Sequence, residues 1–222
     1  DDIVAQFRSD GLPASVPLLM TEYGYSAFSN ESEMNRAGAI LNTLAVAEFL
    51  ARGGAETFFY GTEPSALDRN PKCESWGDNT LFVADDERHI IAPNSTYQAA
   101  RMLTTLWADS SGGKHSILTT IVKSASESSV PVNAYAVHRP DNRIAVLIVN
   151  RDPTHEWTVN LHGLSTPTAA LDVWRLSSAE YEWHPNGDHG FAKPNSGARK
   201  STLPPNMPLV LRPYSIVVVR EH

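Results

Sequence analysis

An apolar run that ends on a carboxylate is the first feature with chemical potential. Residues 16–21 lead into Glu22, and Tyr23 and Tyr25 follow around a glycine. A carboxylate that serves as nucleophile or base must stay ionised, and hydrogen bonds from neighbouring hydroxyls favour the charged form. Thr21, Tyr23 and Tyr25 are the nearby donors. Tyr60 ends a second apolar run, and Glu63 and Trp76 follow it in a long irregular stretch.

These residues need elements to hold them. Residues 16–22 are apolar without alternation, which suits a strand covered on both faces. An amphipathic helix follows, with Asn30 as N-cap, Glu33 as its capping-box partner and Gly53-Gly54 as its end. Met34, Ala37, Leu41, Leu44, Ala45 and Phe49 share one stripe, which Ile40 and Leu50 widen. Residues 55–60 then form a second strand parallel to the first, completing a βαβ unit. Ligands meet such units at the carboxyl ends of the strands, where Glu22 and Tyr60 both lie. Residues 61–94 read as an ordered, packed loop. A helix capped by Ser95 and Gln98 runs to the break at Ser110-Ser111-Gly112-Gly113. A short stretch from Ile3 to Phe7, stopped by Gly11 and Pro13, reads as the end of another helix.

Beyond Gly113 the pattern changes to a period of two. Residues 114–122, 132–138, 143–150, 156–161, 169–176, 209–212 and 214–220 read as strands, and Pro140-Asp141-Asn142 as a hairpin turn. Residues 144–149 are apolar on both faces, so their strand is central. Spacing of this kind suggests an antiparallel β-sandwich. Trp107, Trp157, Trp174 and Trp183 fall at element positions and are assigned to the core.

Composition limits the partners. The net charge of −7 and the scattered Lys and Arg exclude a phosphate-binding surface, so no nucleic acid is expected. No apolar run is long enough to cross a membrane. One cysteine, Cys73, cannot form an intrachain disulfide or a cysteine cluster. The histidines lack HxH or HExxH spacing, and Asp85-Asp86-Glu87 lacks the alternation of a calcium loop, so neither metal nor cofactor is expected. No G-x-S-x-G elbow is present.

Aromatic rings offer flat apolar faces with polar tips, walls that suit sugars. Glycoside hydrolysis needs two carboxyl groups, one to protonate the leaving oxygen and one to attack the anomeric carbon or activate water. Glu22 can be one. Glu63, three residues past a strand, is better read as a solvated or hydrogen-bonding residue.

"LLMTEYGYSAF", an amphipathic helix, "GGAETFFYG", a long loop, a last helix and an ending "LRPYSIVVVR" together resemble the C-terminal part of clan A retaining glycoside hydrolases. The likeness is nearest to β-xylosidases, α-L-iduronidases, α-L-arabinofuranosidases and β-glucuronidases. It implies the last two βα units of an incomplete (β/α)₈ barrel in residues 1–112 and a β-sandwich in 113–222. It further implies Glu22 as nucleophile, with Tyr25, Tyr60 and Trp76 lining the sugar subsite. The family's acid/base follows an Asn at the end of strand four, which should precede Asp1. Asn30-Glu31 copies that dipeptide but stands at a helix start.

This chain alone is therefore expected to be inactive, with the remainder of the barrel needed N-terminally and an oligosaccharide, polysaccharide or glycoside as substrate. Secretion or periplasmic export fits such an enzyme, its signal lying upstream, although these residues fix no compartment. The competing reading is a non-catalytic carbohydrate-binding or structural module in which Glu22 is incidental.

Overall fold

The structure is a computed structural model that describes residues 3–25, 30–69, 75–76, 80–124, 129–164, 169–187 and 189–221. Cys73 lies outside the described residues, as does the side chain of Trp76. Helix α1 (Ile3–Ser9) ends at Gly11, whose φ of 98° suits a residue without a Cβ. Strand β1 (Leu19–Tyr23) follows, then a 3₁₀ turn (Asn30–Glu33), helix α2 (Arg36–Ala51) and strand β2 (Glu56–Phe59), with β1 and β2 parallel. The expected βαβ unit is present, though both strands are shorter than their apolar runs.

Two expectations about α2 are corrected. Asn35, not Asn30, is its N-cap, because the Asn35 side chain accepts from the Ala37 amide at 2.8 Å and Asn30 begins the separate 3₁₀ turn. The buried face is also different. Ala39, Ile40, Thr43, Val46 and Ala47 are buried, while Leu41 is 45% exposed. The helix is apolar nearly all round, so hydrophobicity alone could not select a face. The small residues on the buried side let neighbours approach closely, and a Cβ on Gly38 would sit 2.6 Å from the Glu33 carbonyl oxygen.

The long stretch contains two short antiparallel hairpins, β3 (Asp68–Arg69) with β4 (Ser75–Trp76) and β5 (Phe82–Ala84) with β6 (Ile90–Pro93). Helix α3 (Ser95–Arg101) is capped by Asn94 rather than Ser95, with the Asn94 side chain accepting from the Tyr97 amide at 3.0 Å. It does not continue as one α-helix, because Met102–Trp107 is π-helical.

Past this helix the regular elements among the described residues are strands: β7 (Ser116–Leu118), β8 (Val132–His138), β9 (Ile144–Asn150), β10 (Trp157–Val159), β11 (Leu171–Leu176), β12 (Tyr181–His184), β13 (Phe191–Asn195), β14 (Arg199–Leu203), β15 (Leu209–Leu211) and β16 (Ser215–Arg220). Strands β12, β13 and β14 were not legible in the sequence. Prolines, glycines and charged residues interrupt the period-two pattern there, and the pairing of β12 with β13 is itself irregular. Asn142, at φ 61°, forms the turn expected between β8 and β9.

Six strands form one antiparallel sheet in the order β14-β11-β16-β9-β8-β7. Alternation divides its faces cleanly. Ala145, Leu147, Val149, Ile216 and Val218 join Met34, Ile40, Val46, Ala99, Met102 and Trp107 in one core with the helices. Val146, Ile148, Val217 and Val219 point the other way and meet Leu209 and Leu211, which belong to the β10–β15 pair. Trp107, Trp174 and Trp183 are buried as expected, and Trp157 is half-buried against the second cluster.

Polar pins fix the helices on the sheet. Arg139, 4% exposed, donates to the Leu106 and Ala108 carbonyls at 2.8 and 2.7 Å and pairs with Asp141 at 3.1 Å and Asp109 at 3.4 Å. The Trp107 indole N–H donates to the Tyr135 carbonyl at 3.1 Å, and the Tyr135 hydroxyl donates to Glu48 at 2.8 Å. Burial, followed by the Glu48 carboxylate, pushes the Tyr135 phenol well above its ordinary range.

Two measurements test this account. Gly38→Ala should destabilise the fold by about 1–3 kcal/mol in urea unfolding, because the added methyl meets backbone atoms that have little room to move. Backbone and side-chain hydrogen bonds from Ser111, and then the Arg139 charge, hold the Asp109 carboxyl below the usual carboxylate range. The stability it contributes is present above the ordinary value and is lost as pH falls through the lower native one. Asp109→Asn should therefore flatten the loss of stability between about pH 5 and pH 2.

Candidate functional site

The site begins with an irregularity in the parallel pair. Leu19 pairs with Glu56, Met20 with Thr57 and Tyr23 with Phe59, so β1 advances three residues while β2 advances two. One extra residue makes this a β-bulge, which re-aims side chains. Without it, Tyr23 would point away from the Met20 side. With it, Met20 and Tyr23 are both half-buried and Thr21 and Glu22 are both exposed. Tyr23 packs edge-on against Phe59, with ring centroids 5.4 Å apart at 74°, and burial raises its phenol above the ordinary range.

Tyr23 therefore serves the core, and Glu22 is left at the carboxyl end of β1 facing solvent. The Tyr60 amide donates to the Tyr23 carbonyl at 2.8 Å, which places the backbone of Tyr60 beside that end. Its side chain is 53% exposed. Glu22 and Tyr60 thus come together at one strand-end face. Tyr25 is half-buried just beyond β1. Trp76 is in β4, opposite Asp68 in that small hairpin, and its side chain falls outside the described residues.

Glu63 takes the bland role assigned to it. Its side chain is 88% exposed and lies 4.0 Å from the equally exposed Arg88, a pair of little energetic weight in solvent. Its main chain matters more, because the Glu63 carbonyl accepts from the Thr80 hydroxyl at 2.8 Å.

That contact belongs to a buried polar group of residues that sequence reasoning missed. Glu33, 1% exposed, accepts from the Thr80 amide at 3.0 Å. The Asn94 side-chain amide donates to the Thr80 carbonyl, and the Ser95 hydroxyl donates to the Asn35 carbonyl at 2.7 Å. The segment after β1, the stretch after β2 and the first turn of α3 are thereby fastened together. Glu33 was legible only as a capping residue, and Thr80 carried no local signal.

Asp85, Glu87 and His89 bring ligand atoms within 4.8 Å of one another on the turn between β5 and β6. Turn geometry accounts for the grouping. The His89 amide donates to Asp85 at 2.7 Å, and the His89 ring lies 3.1 Å from the same carboxylate. These hydrogen bonds, led by the His89 backbone N–H, lower the Asp85 carboxyl below its usual range.

Described in this way, the chain is similar in fold to part of the clan A glycoside hydrolases. One such structure is an α-L-arabinofuranosidase from Thermotoga maritima in complex with arabinose, with a TM-score of 0.63 and 12% identity over 99% of this chain and 45% of that one. Another is the GH51 α-L-arabinofuranosidase from Thermotoga petrophila RKU-1, with a TM-score of 0.61 and 11% identity over 100% of this chain and 45% of that one. A third is Cel44A, a GH family 44 endoglucanase from Clostridium thermocellum, with a TM-score of 0.58 and 15% identity over 98% of this chain and 34% of that one. The chain thus spans less than half the length of these structures. No protein-family model matches it, and no curated protein matches it by sequence.

Glu33→Ala should remove the acceptor that fixes Thr80. Amide hydrogen exchange at Thr80 and Phe82 should rise about tenfold or more, with an overall destabilisation of about 1–3 kcal/mol, the range for leaving a buried donor without its acceptor.

Proposed function

We propose that this chain is part of a glycoside hydrolase that cleaves O-glycosidic bonds by a retaining double displacement, with Glu22 as nucleophile. The observation that carries the reading is the carboxylate exposed by the bulge at the carboxyl end of a parallel strand, beside the exposed Tyr60. In the first step a Glu22 oxygen attacks the anomeric carbon while the leaving oxygen takes a proton from an acid. Water then attacks the glycosyl-enzyme, giving its proton to the same group and restoring the Glu22 carboxylate. Tyr25, Tyr60 and Trp76 would line the sugar subsite.

In this reading residues 1–112 are the last two βα units of a (β/α)₈ barrel and 113–222 are its attached β-sandwich. Leu19 and Phe58 leave an apolar face 47% and 48% exposed on the parallel pair, whereas parallel sheets are normally covered on both faces. Further strands from polypeptide outside these residues would cover that face and carry the acid/base. The similar structures, more than twice as long, support this arrangement.

Glu22→Gln in the protein that includes those strands should lower turnover by about 10³-fold or more while preserving substrate binding. Hydrolysis near the parental rate would refute the assignment and favour a non-catalytic module. Turnover by residues 1–222 alone would refute the missing acid.

A further inference from the structure

The hairpin β12–β13 reaches the end of the molecule where β1 and β2 finish. In a βαβ unit the helix runs back against its strand, so the first residues of α2 lie at the carboxyl end of β1. The hairpin is fastened there. The Tyr181 hydroxyl donates to the Met34 carbonyl at 2.7 Å, and Glu182 pairs with Arg36 at 3.2 Å. Asn195 donates to the Pro93 carbonyl at 2.7 Å and accepts from Gln98 at 2.9 Å, tying the hairpin to the first turn of α3 as well.

Alternation gives the hairpin two unlike faces. Tyr181 and Trp183 point inward, at 0% and 8% exposure, with Ala192 packed beside them. Glu182 and His184 point outward. Phe191, the cross-strand partner of His184, stacks on it with ring centroids 5.1 Å apart at 22° and remains 48% exposed. A stacked aromatic pair and a carboxylate two residues away are separated by about 7 Å, the scale of a sugar ring. Next to them is an open cleft of about 270 Å³, lined by Asn35, Arg36, Ala37, Glu182, Trp183 and Tyr214.

The chemistry of this surface selects its ligand. The Arg36 guanidinium donates to the Pro213 and Tyr214 carbonyls at 3.2 and 2.9 Å and pairs with Glu182, so its charge is already balanced. A phosphate or other anion would meet Glu182 unfavourably. A neutral polyhydroxylated chain would place hydroxyls on the Glu182 carboxylate and a C–H face on Phe191.

We propose that the outward face of β12–β13, together with this cleft, is a second saccharide-binding site, distinct from Glu22 and on the same end of the molecule. The choice of ligand class rests on the glycosidase reading. Such a site would hold an outlying stretch of a neutral polysaccharide while another stretch lies across the strand ends.

Affinity electrophoresis of the full 222-residue chain in gels containing soluble arabinoxylan or xyloglucan tests it. Retardation is expected. Phe191→Ala and Glu182→Gln should each weaken it by about tenfold. Phe191 is exposed and its side chain makes no hydrogen bond, so an unchanged thermal melt for that variant separates lost binding from lost folding. Retardation that disappears with Tyr60→Ala but survives Phe191→Ala would overturn the proposal, as would no retardation by either polysaccharide. The glycosidase reading is judged separately by turnover of the Glu22→Gln enzyme, so either reading can fail while the other stands.

Discussion

The molecule depends on a helix layer that serves two sheets at once. Helices α2 and α3 share one core with the six-stranded sheet, and Tyr23 from the parallel pair packs against that same core. Neither sheet could be buried by its own strands alone. A two-stranded parallel pair has almost no interior, and one face of the antiparallel sheet consists of large apolar side chains that require a cover. Small residues on α2 permit the close approach, and Arg139 closes the far end of the layer by taking up the last helical carbonyls.

The same layer sets which side chains the strand end exposes. Because the core holds Tyr23 inward, the chain must absorb one extra residue before it, and that residue is what leaves Glu22 outside. Past the strand ends, Glu33, Thr80, Asn94 and Ser95 supply polar contacts that a loop of this length would otherwise lack. The site's apolar and polar supports therefore come from opposite directions. Packing sets the strand register from beneath, and buried hydrogen bonds set the height of the loops around it.

Much of this was legible in the sequence, and the exceptions share a cause. Parallel strands, the central strand β9 and the turn at Asn142 follow from local pattern, so they could be read directly. The face of α2 could not, since Leu41 and Ile40 are equally apolar and only the neighbours decide which is buried. Asn30 and Asn35 are equally good caps, and the choice between them depends on where the preceding 3₁₀ turn fits. Within the site, the positions of Glu22 and Tyr60 were foreseen, whereas the inward turn of Tyr23 depends on a bulge that no residue type announces. Thr80 becomes important through partners distant in sequence, Glu63, Asn94 and, 47 positions away, Glu33.

The bulge also changes how this strand can tolerate alteration. In a regular strand, losing one residue inverts every side chain that follows. Here, removing either Thr21 or Glu22 would restore the pleat and still return Tyr23 to the core, so the fold is buffered against a loss that the exposed carboxylate is not. The length of the strand and the presence of its carboxylate are thus under separate control over two adjacent residues, and a strand shortened by the loss of Glu22 would persist as a folded protein with an empty strand end.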